Sequence, residues 1–223
     1  MGIYGSLRNR ATTYPHDLQA QQYLRLLVTI LFSFLTTAIL IYPEEFRLDS
    51  FPFSYLGRKI TPSGLTNVLS RIVFNLGMFL SACTMWLMAR HYRKRHPVPD
   101  SPVYEFLSYL SAAGFTLMLV PCDVTSIRIF HSFGSGFVVG SHLIMSVIRL
   151  SAVSHHINKW TFRFILLTLL FPVLVYAIAW ILDNPWHPLL QKPAFAAMIF
   201  VELYGSRISR NRNNCIDRLF VYQ

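Results

Sequence analysis

The chain has 223 residues, of which 53% are hydrophobic and only 13% charged, and its formal net charge is +10. So small a charged fraction is unusual for a soluble domain. The basic residues lie between long apolar runs and not along one polar face, which argues against nucleic-acid binding and is typical of membrane proteins. The three cysteines, Cys83, Cys122 and Cys215, have neither disulfide nor metal-site spacing and are predicted to be free thiols.

Six apolar runs approach the roughly 20 residues that an α-helix needs to span a bilayer. The sequence therefore predicts an all-α membrane protein with six transmembrane helices, at 23–42, 67–90, 103–120, 130–153, 164–182 and 189–206. A polar N-terminal segment (1–22) precedes this transmembrane domain (23–206), and a basic tail (207–223) follows it. Pro43 ends the first helix, and no cleavage site follows, so this helix is predicted to be a retained span and not a signal peptide.

One connection and two of the predicted helices have special features. The segment 43–67 is too rich in apolar and aromatic residues for a free linker, and we expect it to fold back against the helices. Pro172 is expected to kink the fifth helix. The sixth helix is the least regular, because Pro193 and Glu202 interrupt a short apolar run.

The positions of the basic residues orient the predicted helices. Fourteen of the 20 Lys and Arg residues lie in or beside the N-terminal segment, the links after the second and fourth helices, and the tail. The other six are Arg47, Arg58, Lys59, Arg71, Arg128 and Lys192. Because basic residues favour the cytoplasmic side, both termini are predicted to be cytoplasmic, which agrees with an even number of spans.

The fourth predicted helix carries a polar stripe within its apolar run. Four side chains project within about 40° of one another at ~100° per residue, namely those of His131, Ser135, His142 and Arg149. Ionisable groups inside a bilayer are costly and usually face protein or a wet cavity. We therefore expect the polar side of this helix to face protein, and the side with Phe133, Phe137 and Ile144 to be peripheral.

Two further features of this region concern packing. Gly136 and Gly140 form a GxxxG pattern, which lets a second helix approach closely. Packing within the chain is the simpler expectation, and association of two copies of the chain is the alternative. Replacing Gly140 by Leu is then expected to destabilise the fold. Arg149 and Glu202 both fall toward the cytoplasmic ends of their helices and are predicted to form a structural ion pair.

Polar residues also gather near the predicted non-cytoplasmic face. We interpret six of them as a candidate ligand-binding site, namely Ser54, Asn67, Arg71, Asn75, Asp123 and His131. Arg71 is expected to pair with Asp123, and the pair to contact His131 in one connected polar group. Three roles are open for the site: structural contacts between loops and helices, binding of a lipid headgroup or other polar ligand, and catalysis.

Catalysis would need an oriented histidine as base and a hydroxyl as nucleophile, which Asp123, His131 and Ser54 contain. His131, His187 and Asp123 are residue types found in zinc sites, but no compact HxxxH or HExxH pattern supports a metal, and no metal is predicted. His131 and His142 are about 16 Å apart on one helix and cannot share one haem iron. The sequence assigns no cofactor.

Two stretches of the chain, FSYLGRKITPSGLTNVLSRIVFNLGM and PCDVTSIRIFH, resemble a broad group of six-helix membrane proteins. These are prokaryotic proteins of unknown function related to the DRAM-like family, whose superfamily includes a eukaryotic GPI-anchor lipid-remodelling protein. The matching features are the turn at Ser54–Gly57, then Asn67, Ser70 and Phe74, and the turn from Asp123 to His131. The family often has Asn after that His, where this chain has Ser132. The resemblance implies six spans with these residues on the non-cytoplasmic side, and no established reaction.

The sequence thus predicts an integral, multi-pass membrane protein with a polar pocket near its non-cytoplasmic face that binds a membrane lipid or a partner membrane protein. An accessory subunit of a larger membrane complex is one alternative, and a lipid-modifying or metal-dependent membrane hydrolase is another. Nucleic acid is not an expected partner. The membrane is predicted to be a plasma or inner membrane or an endomembrane.

Overall fold

The computed structural model of the chain describes residues 18–95, 101–154, 157–182 and 184–220, with the backbone alone for 153 and 205–220. This part of the chain is all-helical and contains no β-strand. Its six α-helices are α1 (Leu18–Leu40), α2 (Leu69–Arg93), α3 (Ser101–Leu117), α4 (Arg128–Val153), α5 (Lys159–Ile181) and α6 (His187–Phe220). A short 3₁₀ helix, Phe53–Gly57, lies between α1 and α2.

Four of these helices are long and apolar enough to cross a membrane: α1, α2, α4 and α5. Helix α3 has 17 residues, which at 1.5 Å per residue is about 26 Å and slightly less than a hydrocarbon core. Helix α6 contains Lys192, Pro193 and Glu202, and its apolar run is correspondingly short. The structure therefore contains four candidate membrane spans within a six-helix protein.

The helices form two hydrophobic clusters that meet at α4. In α1, apolar residues recur at helical spacing, and Leu24, Leu27 and Leu31 are buried against the rest of the first cluster, which unites α1 to α4. The second cluster joins α4, α5 and α6 through residues such as Leu150 and Leu169. Helices α5 and α6 thus pack on each other and contact the remaining helices chiefly through α4.

The helix boundaries agree with the sequence prediction to within a few residues, except at the C-terminus. Helix α6 continues to Phe220, past residue 206, where the sequence predicts the sixth span to end. No proline follows Pro193 to stop the helix. Residues 1–17 of the predicted N-terminal segment and 221–223 of the predicted tail lie outside the described residues.

The segment between α1 and α2 folds back against the helices, as its composition predicts. A run of aromatic rings in contact leads from the end of α1 into this segment, with centroid distances of 5.2 Å, 5.7 Å and 5.5 Å for Tyr42–Phe46, Phe46–Phe51 and Phe51–Tyr55. Leu56 is fully buried. Gly64, with φ of +90°, supplies the left-handed residue of the turn that leads toward α2.

Helices α3 and α4 approach each other most closely at two glycines that face one another. A Cβ added at Gly134 would lie 2.6 Å from the carbonyl oxygen of Gly114, and one added at Gly114 would lie 2.7 Å from that of Gly134. By contrast, a Cβ at Gly136 or Gly140 would meet no atom within 4 Å. The prediction that the GxxxG pair makes the close contact is wrong, because Gly136 lies on the exposed side of α4.

Candidate functional site

The segments 42–68 and 121–127 meet at one end of the helices, and we call them the loop layer. The side chains of Asp123 and Asn67 form hydrogen bonds with the backbone of residues 56–60 in this layer. Oδ2 of Asp123 accepts hydrogen bonds from the backbone N–H groups of Lys59 (2.7 Å) and Ile60 (3.3 Å). Nδ2 of Asn67 donates to the carbonyl oxygens of Leu56 (3.0 Å) and Arg58 (3.1 Å). These side chains therefore replace the backbone partners that an irregular segment lacks.

Further contacts close the loop layer. The thiol of Cys122 donates to the carbonyl oxygen of Ser54 at 3.3 Å, and burial raises the pKa of this thiol. Oε2 of Glu44 accepts hydrogen bonds from the hydroxyls of Thr61, at 3.2 Å, and Ser63. The carboxylate and the thiol are thus both occupied by neighbours within the layer.

The first turns of α6 also hold the loop layer. The backbone N–H of Phe53 donates to Oε1 of Gln191 at 2.9 Å. Nζ of Lys192 donates to the carbonyl oxygens of Phe51 (2.6 Å) and Pro188 (2.5 Å). These contacts could not be predicted from the sequence, since a lone Lys and Gln at a helix start usually face solvent.

The structure does not bring Arg71, Asp123 and His131 into direct contact, so that prediction is wrong. Nδ1 of His131 donates to the carbonyl oxygen of Val120 at 2.9 Å. Arg71 makes no hydrogen bond or ion pair with any described residue. The carboxylate of Asp123 instead accepts hydrogen bonds from the backbone N–H groups of Lys59 and Ile60.

The other predicted site residues, Asn67, Asn75 and Ser54, differ in burial and in their hydrogen bonds. Asn67 precedes α2 and is fully buried in the loop layer, whereas Asn75 is half-buried on α2 and has no hydrogen-bond partner among the described residues. Ser54 contributes its carbonyl oxygen and not its hydroxyl to Cys122. The nucleophile, base and carboxylate arrangement considered for Ser54, His131 and Asp123 is therefore not formed.

Several polar atoms in and beside the loop layer are buried and have no hydrogen-bond partner in the described part of the chain. They are Tyr42 Oη, Glu44 Oε1, Arg58 Nε, Asn67 Oδ1, Ser70 Oγ, Asp123 Oδ1 and His131 Nε2. Burial and the nearby Glu44 raise the pKa of Tyr42 to about 12. Buried polar groups normally have partners, in protein or ordered water. This concentration of donors and acceptors is the setting in which water or a polar ligand is bound.

A second polar group lies between α3, α4 and α6. The Ser111 hydroxyl is 3.1 Å from Nε2 of His142, and Nδ1 of His142 is 3.6 Å from Oε1 of Glu202. Glu202 also accepts a hydrogen bond from Ser146 at 3.1 Å and forms the predicted ion pair with Arg149. The carboxylate favours the His142 tautomer with a proton on Nδ1, in which Nε2 accepts from Ser111.

The hydroxyl, imidazole and carboxylate of this group follow the order found in nucleophilic enzymes. Two observations favour a structural role. Ser111 is 0% exposed, and Glu202 is shared with Arg149 and Ser146. The group therefore joins three helices by satisfying charges that would otherwise be isolated in an apolar interior.

Fold and site together define a helical protein with four candidate membrane spans and a polar loop layer at one end. Comparisons with protein-family models, with curated proteins and with solved structures find no match for this chain. The resemblance to the DRAM-like group therefore stays a prediction. Among the described residues, no three His, Cys, Asp or Glu side chains lie close enough together to hold a metal ion.

Proposed function

We propose that this chain is a six-span membrane protein with both termini in the cytoplasm, and that its loop layer binds the polar headgroup of a membrane lipid. The count of basic residues supports the orientation. On this topology, the loop layer lies on the non-cytoplasmic side, at the depth of lipid headgroups.

The two helices that lack the composition of independent spans have compensating contacts. Helix α3 buries about half of its residues, Phe115 and Tyr104 among them, against its neighbours, so less of its surface needs to meet lipid. Two charged residues in the apolar part of α6 have partners within the protein: Lys192 donates to two carbonyl oxygens and Glu202 pairs with Arg149. Polar groups at membrane depth are tolerated where protein satisfies them.

The observation that carries the lipid-binding proposal is the set of buried, unpartnered polar atoms in the loop layer. Tyr42 is 7% exposed and Asn67 and Ser70 are 0% exposed, yet each presents an oxygen with no hydrogen-bond partner among the described residues. A buried polar group without a partner costs about 1–3 kcal/mol. A headgroup with several hydroxyl and phosphate oxygens, together with its water, supplies the missing partners.

Lipid-dependent thermal stability tests this proposal. Purified protein is stripped of lipid in neutral detergent, and its melting temperature is measured with and without mixed phosphatidylethanolamine and phosphatidylglycerol. We expect lipid to raise the melting temperature, because a ligand that binds only the folded state stabilises it. Absence of a shift in the wild type would contradict lipid binding.

Two substitutions test whether the lipid that raises the melting temperature binds at the loop layer. Tyr42→Phe and Ser70→Ala remove hydroxyls that have no partner to lose, so the lipid-free protein should melt as the wild type does. Both should show a smaller lipid shift. The matched control is Ser81→Ala, which removes a buried hydroxyl already bonded to the Gly77 carbonyl oxygen at 2.8 Å. Equal lipid shifts in all three variants would place the binding site elsewhere. A stoichiometric protein partner without bound lipid would favour an accessory subunit.

A further inference from the structure

Three of the four described acidic side chains in the loop layer have one carboxylate oxygen bonded to donors from the layer itself. Asp123 accepts from two backbone N–H groups, and Glu44 from two hydroxyls. Asp49 pairs with Arg47 at 3.1 Å. Of the described carboxylates at this end of the molecule, only that of Glu45 has no hydrogen-bond or ion-pair partner.

Four of the basic side chains at the same end have no such partners. Within the described ranges, Arg58, Lys59, Arg71 and Arg128 form no ion pair with any carboxylate. Lys59 and Arg128 are exposed, and Arg58 and Arg71 are half-buried. The guanidinium of Arg58 lies 4.2 Å from the centre of the Tyr55 ring, while its Nε is buried without a hydrogen-bond partner. Among the described residues, this end of the protein therefore carries six basic side chains against four acidic ones, and four of the bases have no ion-pair partner.

The loop contacts bring these four bases to one region. Arg58 and Lys59 belong to the stretch that Asp123 and Asn67 hold in place. Arg128 begins α4 five residues after Asp123, and Arg71 lies in the first turn of α2, four residues after Asn67.

From this arrangement we infer that the headgroup bound by the loop layer is that of an anionic phospholipid. The inference rests on the proposed lipid-binding function and names its ligand class. Arg58 and Arg71 bind the phosphate, since a guanidinium offers paired N–H donors that match phosphate oxygens. Lys59 and Arg128 supply further positive charge at the rim. A zwitterionic headgroup carries its own cation and gains less from four bases.

The test compares three probes on the lipid-stripped full chain: phosphatidylglycerol, phosphatidylcholine and soluble glycerol 3-phosphate. Binding is measured by native mass spectrometry and by the shift in melting temperature. We expect phosphatidylglycerol to bind on the order of tenfold more tightly than phosphatidylcholine. Glycerol 3-phosphate should bind more weakly than phosphatidylglycerol, because it lacks the acyl chains that the membrane contributes.

Charge-neutral variants then identify the bases responsible. Arg58→Gln and Arg71→Gln should each weaken phosphatidylglycerol binding severalfold and leave phosphatidylcholine binding nearly unchanged. Arg47→Gln is the matched control, because it removes one positive charge at the same end from a residue already paired with Asp49. If Arg58→Gln fails to fold, Arg71→Gln still decides the question, since Arg71 has no polar contact to lose among the described residues.

The outcomes separate the two proposals. Equal binding of phosphatidylglycerol and phosphatidylcholine would overturn anionic selectivity while supporting headgroup binding. Wild-type affinity for phosphatidylglycerol in both arginine variants, or a loss as large in Arg47→Gln, would overturn the assignment of the phosphate to Arg58 and Arg71. Glycerol 3-phosphate binding as tightly as phosphatidylglycerol would identify a soluble phosphate site. Binding of none of the three would overturn both the lipid function and its specificity.

Discussion

Asn67 shows how one amide side chain can organise an irregular segment. The predicted second helix, 67–90, includes Asn67, Arg71 and Asn75. In the structure Asn67 lies before α2 and donates to two carbonyl oxygens, while the other two residues lie on the helix. Residue type and spacing could not separate these roles, because the acceptors are backbone groups of a loop whose path the sequence does not reveal.

Asn67→Asp should therefore destabilise the protein more than the same change at Asn75. The substitution keeps the shape of the side chain but removes both N–H donors and sets a carboxylate against two carbonyl oxygens. Each buried group left without a partner costs about 1–3 kcal/mol. Thermal melting of the two variants in the same detergent measures the difference. A similar melting temperature for Asn67→Asp and Asn75→Asp would show that the amide does not hold the loop layer.

The partner of Asp123 was mispredicted for a related reason. Charge complementarity pointed to Arg71, since two opposite charges at similar depth are expected to pair. A carboxylate beside an irregular loop instead accepts from loop amides, and the N–H groups of Lys59 and Ile60 are those partners. The pairing of Arg149 with Glu202 was predictable because both charges lie on long helices, where no free amide competes for the carboxylate.

At the scale of elements, α4 shows which packing features helical periodicity predicts and which it does not. The polar stripe correctly indicated the protein-facing side: Gly134 and His142 are buried, and Phe133 is 55% exposed. The close-packed glycines were nevertheless assigned to the wrong side. Gly134 and Gly136 are separated by ~200° around the helix, and the GxxxG pattern favoured Gly136 and Gly140, although Gly134 lies on the side that the polar stripe marks as facing protein.

Gly134→Ala should destabilise the packing of α4 on α3. Its Cβ would lie 2.6 Å from the carbonyl oxygen of Gly114, which is backbone and cannot rotate away. Overpacking of this kind costs about 1–3 kcal/mol. Gly140→Ala is the control and should be neutral or slightly stabilising, because its Cβ meets no atom within 4 Å and alanine favours helix. Thermal melting measures both; a larger loss in Gly140→Ala would contradict the observed helix contact.

Gly140→Leu follows the same reasoning. The GxxxG pattern predicts that it destabilises the chain, whereas the structure offers open space at this position. We now expect little change in the melting temperature of the monomer.

At the scale of the whole molecule, the orientation in the membrane is the main proposal to be tested. With native cysteines replaced, single cysteines at Asp49, Ile127 and Asn184 should react with an impermeant thiol reagent from the non-cytoplasmic side. Cysteines at Lys94 and Asn213 should react only after the membrane is opened. The expectation follows from the distribution of basic residues. Cytoplasmic reaction at Asn184 would mean that α5 and α6 do not form a pair of spans.

Composition and apolar run length were enough to predict an all-helical fold with membrane-spanning segments, because these properties follow from hydrocarbon thickness alone. The docking of α6 onto the loop layer was not predictable. It depends on Gln191 and Lys192 meeting backbone groups of Phe53 and Phe51, which are more than 130 residues away in sequence. Nor could the sequence indicate that Ser111 would be the partner of His142, since several buried serines line α3.

On the proposed topology, the Arg149–Glu202 pair also affects how α6 inserts into the membrane during synthesis. Helix α6 carries an acidic residue in a short apolar run, and an acidic residue within such a run opposes insertion by the translocon. Arg149 is synthesised earlier, on α4, so it is already present when Glu202 emerges. Lateral insertion of α6 should then depend on the earlier helices remaining beside the translocon.

A translation reaction with microsomes tests this dependence. An acceptor site for N-glycosylation is placed after residue 206, where it stays unmodified if α6 inserts and delivers the C-terminus to the cytoplasmic side. Arg149→Leu should increase glycosylation of this site, and Arg149→Leu combined with Glu202→Leu should reverse the increase. Equal modification of the wild type and Arg149→Leu would show that α6 inserts on its own, and the ion pair would then form only after insertion is complete.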